Sequence, residues 1–219
     1  MTAHPLWHDD YYLLLFRIVM RAPEGVKAAY SRPVVEMALR LHIPPEELRR
    51  RMFEMVRGGD RRYDRLKKRY EGHRRALAAD IARALRCDAF GSDSFYDGVE
   101  AVETFEADFR PIAPASPLMP VTLIILLDLY FRLVPATMRS DTPEVRATAR
   151  RLGIKAALAE RVLRAFMRCD AYMVRSPLLP PDDGDAALRQ ACCAVWRRYG
   201  NDPERLADTA AQMAAYYER

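Results

Sequence analysis

The stretch from Glu144 to Arg168, EVRATARRLGIKAALAERVLRAFMR, reads as two helices joined by a tight turn at Gly153-Ile154. Ala149 stands four residues before Gly153, the glycine allows a left-handed backbone, and Ile154 is placed to plug the angle between the helices. Ala159 and Val162 then seat the second helix. An earlier stretch, Val34 to Arg57, carries the same pattern: Val34, Ala38, Arg40, Leu41, Ile43, Arg50 and Arg57 match Val145, Ala149, Arg151, Leu152, Ile154, Arg161 and Arg168. That constant offset reads as an internal duplication. In the earlier copy His42 replaces the glycine, Pro44-Pro45 opens the following helix, and Leu48 seats it. A preceding helix adds Phe16-Arg17-Ile18-Val19 against Phe131-Arg132-Leu133-Val134, so residues 11–57 and 126–168 are expected to share three helices.

Half of the 219 residues are hydrophobic, 30% are charged and nine are glycine. Helical periods run through long segments and no segment alternates as a strand, so the class is all-α. The expected architecture is a multi-helix chain of two related tri-helical, helix-turn-helix-like halves with a C-terminal helical pair. Pro111 to Pro117 divides it, giving an N-terminal half over 1–110 and a C-terminal half over 111–219. The apolar opening helices, Tyr11–Met20 and Val121–Val134, are expected to pack the halves together. The run Val121 to Leu127 is soon followed by Asp128 and Arg132, so it predicts a core helix and no membrane span. Cys87, Cys169, Cys192 and Cys193 form no C-x-x-C and read as free thiols of a reducing compartment. With no basic-then-apolar leader at the start, a cytoplasmic protein is expected.

Taken in order, the first helix is expected to open at Asp9 or Asp10, and the next at a Ser31 cap with Pro33 in its first turn. Asp60 is expected to cap one long basic helix to Arg86, with Tyr63, Leu66, Tyr70, His73, Leu77, Ile81 and Leu85 on its apolar stripe. Cys87 to Phe109 carries seven acids and no basic residue; a helix from Ser92 or Asp93 would lay its acidic side against that basic helix. Asp141 is expected to cap the helix beginning near Pro143, with Glu144 three residues on. Helices over Asp185 to Tyr199 and from Asp202 or Pro203 onward close the chain.

The net charge is +5, carried by 31 arginines and four lysines. This permits nucleic-acid binding without requiring it. The candidate nucleic-acid-binding residues are Arg49 and Arg50, Arg61, Arg65, Lys68 and Arg69, and Lys155 with Arg161. Reading bases from the second helix of either corner needs side chains that reach base edges. The early positions instead carry Pro44, Pro45 and Glu46 in one copy and Ala156, Ala157 and Glu160 in the other. No G-x-S-x-G, Walker A, G-x-G-x-x-G or H-E-x-x-H occurs, so no enzyme, catalytic residue or cofactor is expected. His4, His8, Asp9 and Asp10 lack a second cluster to complete a metal shell, and no metal site is expected. What remains is a protein that acts by binding. The leading expectation is a protein-interaction or scaffolding module with a protein partner or self-association; the alternative is a DNA-binding protein using one or both helix-turn-helix-like units.

Overall fold

The computed structural model describes residues 6–21, 26–57, 61–86, 105–173, 176–177, 179, 181 and 184–218. Among them are eleven α-helices and no strand. The chain forms two compact units, Met1–Ala101 and Val102–Arg219. The proline-bearing stretch 111–117 lies within the second, where the Ile112 N–H donates to the Leu118 carbonyl at 3.0 Å.

In the first unit, α1 (Tyr12–Val19) packs against α2 (Arg32–Leu41), α3 (Pro45–Arg57), α4 (Arg62–Tyr70) and α5 (Arg74–Ala84). A helix with Leu14, Leu15, Phe16, Ile18 and Val19 buried on several faces needs neighbours all round, and it has them. Its start is a 3-10 turn at Asp9–Tyr11, with the His8 ring accepting from the Asp10 N–H, so neither aspartate caps α1 itself.

The second unit repeats the principle around α7 (Pro120–Arg132), in which every side chain from Val121 to Leu127 is buried. Packed on it are α6 (Phe105–Asp108), α8 (Pro143–Leu152), α9 (Ala156–Met167), α10 (Ala186–Tyr199) and α11 (Pro203–Met213). Asp185 and Asp202 cap α10 and α11, accepting from the Leu188 and Arg205 N–H groups at 2.9 and 3.0 Å. Each apolar opening helix is thus covered inside its own unit. No helix among the described residues is long and apolar enough to cross a membrane.

The two corners agree closely. Helices α2 and α8 are both ten residues long and start 111 positions apart; α3 and α9 start at the same offset. His42 and Gly153 end their helices in the left-handed conformation, at φ 53° and 70°. The next residue then folds back: the Ile43 N–H donates to the Ala38 carbonyl at 3.2 Å, and the Ile154 N–H to the Ala149 carbonyl at 3.0 Å. The small Ala38 and Ala149 are buried at the crossing. His42 thus adopts the left-handed turn that Gly153 makes at the other corner. The opening helices do not follow this agreement. Phe16 and Val19 are buried within α1, whereas Phe131 is 40% exposed at the end of α7 and Val134 lies beyond it, 61% exposed.

Three other expectations are corrected. The long basic helix is two helices, because Gly72 turns left-handed at φ 77° and breaks the run between Tyr70 and Arg74. His73 consequently stands at the exposed start of α5 and not on an apolar stripe. Asp141 is not a cap: Thr142 occupies that backbone position without a side-chain hydrogen bond, and Asp141 pairs with Arg139. Ser31 does precede α2, but its hydroxyl donates back to the Ala28 carbonyl and not into the helix. The expected Asp60 cap and the start of the acidic helix at Ser92 or Asp93 lie outside the described residues.

The corners also differ in depth. Ile43 is fully buried, while Ile154 is half-buried beside a surface pocket. Ile43→Ala is expected to cost about 2–5 kcal/mol, the usual range for emptying a core position, and Ile154→Ala roughly half as much or less. Denaturant melts of the two variants check this; equal losses would mean that Ile154 is as enclosed as Ile43.

Candidate nucleic-acid interface

The expected contact residues fall on three helices, and local pairing decides what each has left to offer. On α3, Glu46 and Glu47 occupy the first turn, where carboxylates suit the positive end of the helix. Three and four residues on, Arg50 and Arg51 both reach Glu47, and both also reach Glu54. The Arg50 Nε–Glu47 contact is 3.0 Å and the Arg50–Glu54 contact 3.2 Å. Burial alone would raise the Glu47 pKa, but hydrogen bonds and charge from Arg50 and Arg51 outweigh it and hold the carboxyl below its ordinary value. Arg49 is exposed, its guanidinium over the Phe53 ring at 4.9 Å, with Arg57 at 5.4 Å from the same ring.

On α4 the pairing is uneven. Arg69 and Arg83 both contact Asp80, at 3.3 and 3.2 Å, and the buried Tyr70 donates to it at 2.6 Å, tying α4 to α5. The Tyr70 hydrogen bond, then the two arginines, keep the Asp80 carboxyl below its usual range. Arg62 lies over the Tyr12 ring at 3.9 Å. A pocket of about 380 Å³ in this region is lined by Asp9, Asp10 and Asp80 and by Arg62, Arg69 and Arg83, so its charges balance. Arg61, Arg65 and Lys68 are exposed. Lys67 and Lys68 at the end of α4 and Arg74 and Arg75 at the start of α5 flank the Gly72 break. Lys67, Arg74 and Arg75 were not among the expected contacts; the Gly72 break between two basic pairs is the signal that could have found them.

At the second corner, Lys155 stands exposed immediately before α9. Arg161, six residues further, is held by Asp185 at 2.9 Å. Glu160 accepts the Ser140 N–H at 2.8 Å and pairs with Arg164. Burial pushes the Glu160 pKa up, yet Ser140 and Arg164 more than offset it and the carboxyl stays below its ordinary value. Two exposed arginines of α8, Arg146 and Arg150, flank a pocket of about 430 Å³ floored by Ala149, Ile154 and Ala156. A second groove of about 520 Å³ holds Arg161, Arg164, Arg168 and Arg189 together with Glu160 and Asp185. The structure therefore gathers Arg49 with Arg50 on α3, and Arg65, Lys68 and Arg69 on α4 with Arg61 just before it, inside the first unit. Lys155 and Arg161 belong to the second.

The described end of the acidic segment has partners in its own unit. Asp108 is buried and receives two hydrogen bonds from Arg198, at 2.6 and 3.0 Å, while Glu106 pairs with Arg110 at 3.1 Å. At the N-terminal end, Asp9 accepts from the Trp7 indole. Among the described residues no three His, Cys, Asp or Glu side chains are grouped to hold a metal ion. Comparison with family models, with curated proteins and with solved structures found no match.

Removing Arg198 leaves the Asp108 carboxylate buried without its bidentate partner. Arg198→Ala is expected to destabilise the chain by about 2 kcal/mol, below the full cost of breaking a buried pair because the guanidinium is half-exposed. In an Asp108→Asn background the carboxylate is already gone, so adding Arg198→Ala should cost less in melts there than in the parent; an equal cost in both backgrounds would assign the effect to packing and not to charge.

Proposed function

We propose that this chain works by binding a protein partner or a second copy of itself, as an interaction or scaffolding module, with its helix-turn-helix-like corners serving as structure. One observation carries the reading. At both corners the arginine placed to meet a phosphate is already engaged by carboxylates of its own unit, Arg50 by Glu47 and Glu54 and Arg161 by Asp185. Freeing either one for DNA would leave a carboxylate to be repaid by water or another cation. The early positions of α9 add Ala156 and Ala157, which discriminate little between bases. Apolar surface suited to a protein partner is present in Phe131 at the end of α7 and Val134 just beyond it, both exposed.

The same reading makes the corners two copies of one helix pair. Identical offsets of the helix starts, left-handed residues at His42 and Gly153, and the matching isoleucine-to-alanine hydrogen bonds support a duplication of that pair. Its extension to a third helix in each half has no such support.

A second reading, nucleic-acid binding, is favoured by a different place. Arg61 just before α4, Lys67 and Lys68 on α4, and Arg74 and Arg75 on α5 are exposed, and none makes an ion pair with a described carboxylate. A sequence-independent phosphate contact needs no more than such a surface. Titrating labelled duplex DNA with the full chain at low salt separates the two readings. The protein-interaction reading expects no saturable binding, and light scattering that reports a dimer or larger assembly unless a separate partner is supplied. Saturable binding that weakens with salt by a log–log slope of about −0.9 per phosphate, and that is abolished by replacing Lys67, Lys68, Arg74 and Arg75 with Ala, would establish the second reading. Binding lost instead on Lys155→Ala with Arg161→Ala would overturn the structural role of the corners.

A further inference from the structure

Cys169 follows the end of α9, and Cys193 lies within α10, the helix packed beside it. Their sulfurs are 2.9 Å apart. Neither is fully buried, in contrast to the adjacent Cys192, which is. Two thiols brought together from separate helices, with partial access to solvent, are what a reversible disulfide requires. Sulfur–sulfur approach by a further ~0.9 Å would reach the bond length. We propose that Cys169 and Cys193 form an oxidisable dithiol that closes to a disulfide, fastening the end of α9 to α10 and closing the 169–193 segment into a loop.

The surroundings set the order of attack. Burial, followed by the neighbouring Cys193, pushes the Cys169 thiol up to about 12, so at neutral pH it holds its proton and is not the sulfur that attacks first. The Arg197 cation acts in the other direction on the same thiol from one turn beyond Cys193. The oxidant class is a hydroperoxide. The Cys193 sulfur attacks a peroxide oxygen and the O–O bond breaks, giving a sulfenic acid and one water. The second sulfur then displaces the sulfenic oxygen, forming the S–S bond and releasing a second water. Each sulfur gives up one electron, hydrogen peroxide takes both, and the two thiol protons end in water. A dithiol reductant reverses the change by exchange.

The lock would act on a defined patch. Asp170, next to Cys169, accepts from the Tyr130 hydroxyl at 2.8 Å. Trp196, three residues after Cys193, packs against Tyr130 and Phe131 with ring centres 5.6 and 5.4 Å away. Phe131 is part of the exposed apolar surface, and Tyr172 in the closed segment is 94% exposed. Oxidation would therefore stiffen the edge of the second unit that offers apolar contact.

The test uses the reduced full chain treated with hydrogen peroxide and read by intact mass and peptide mapping. The expected result is a loss of about 2 Da with a single bond mapped to Cys169–Cys193, reversed by dithiothreitol. It should persist in Cys192→Ser and in Cys87→Ser, and disappear in Cys193→Ser. The melting temperature should rise by ~5 °C on oxidation and fall back on reduction. Mapping in the unmodified chain needs no variant to fold. A bond mapped to Cys87 or Cys192, or thiols that only gain oxygen without losing about 2 Da, would overturn the proposal.

Discussion

A helix that is apolar on nearly every side has to be surrounded, and each unit of this protein is arranged to surround one. Seven consecutive buried side chains in α7, Val121 to Leu127, leave no face for water. At about 1.5–3 kcal/mol for each large side chain fully buried, no surface arrangement of that segment competes. The other helices of each unit are short, mostly eight to fourteen residues, and amphipathic, as pieces laid around a centre need to be. Short helices need sharp turns between them. The left-handed His42 and Gly153 supply two, and the isoleucine N–H that folds back after each one fixes the angle.

On the proposed reading, the residues of the corners answer to packing. The residues that agree best between the copies are the ones the crossing buries: Val34 with Val145, Ala38 with Ala149, Leu41 with Leu152. Arg50 and Arg161 agree as well, yet each is engaged by different carboxylates, local Glu47 and Glu54 in one case and the distant Asp185 in the other. A pairing reached by two routes at one position points to an arginine kept at the surface and neutralised there. Among the described residues, exposed basic side chains also cluster around the Gly72 break in the first unit and on α8 in the second.

Much of this was legible in the sequence, for physical reasons that also mark where reading stops. The corner at Gly153 was visible because small, branched and left-handed-tolerant residues must stand at fixed spacing for two helices to cross. The equivalent turn at His42 was only half visible, since histidine seldom adopts that conformation and nothing in the side chain announces it. The basic segment was misread because Tyr63, Leu66, Tyr70, Leu77 and Ile81 keep a helical rhythm through Gly72; one left-handed residue resets the direction without disturbing the spacing. The Arg50 network was available as an i, i+3 and i, i+4 pattern. Arg161 with Asp185, Asp108 with Arg198, and the two sulfurs of Cys169 and Cys193 join residues 24, 90 and 24 positions apart, and only the fold brings them together.

The central claim is that the corners are structure and that their second helices do not read nucleic acid. Amide shifts of the isotopically labelled full chain, followed while a short DNA duplex is added at low salt, test it residue by residue. The account predicts that amides of α3 and of α9 from Ala156 to Arg161 stay in place, with any movement confined to the exposed basic surface of α4, α5 or α8. Shifts concentrated at Lys155 to Arg161, or at Arg49 and Arg50, would contradict it.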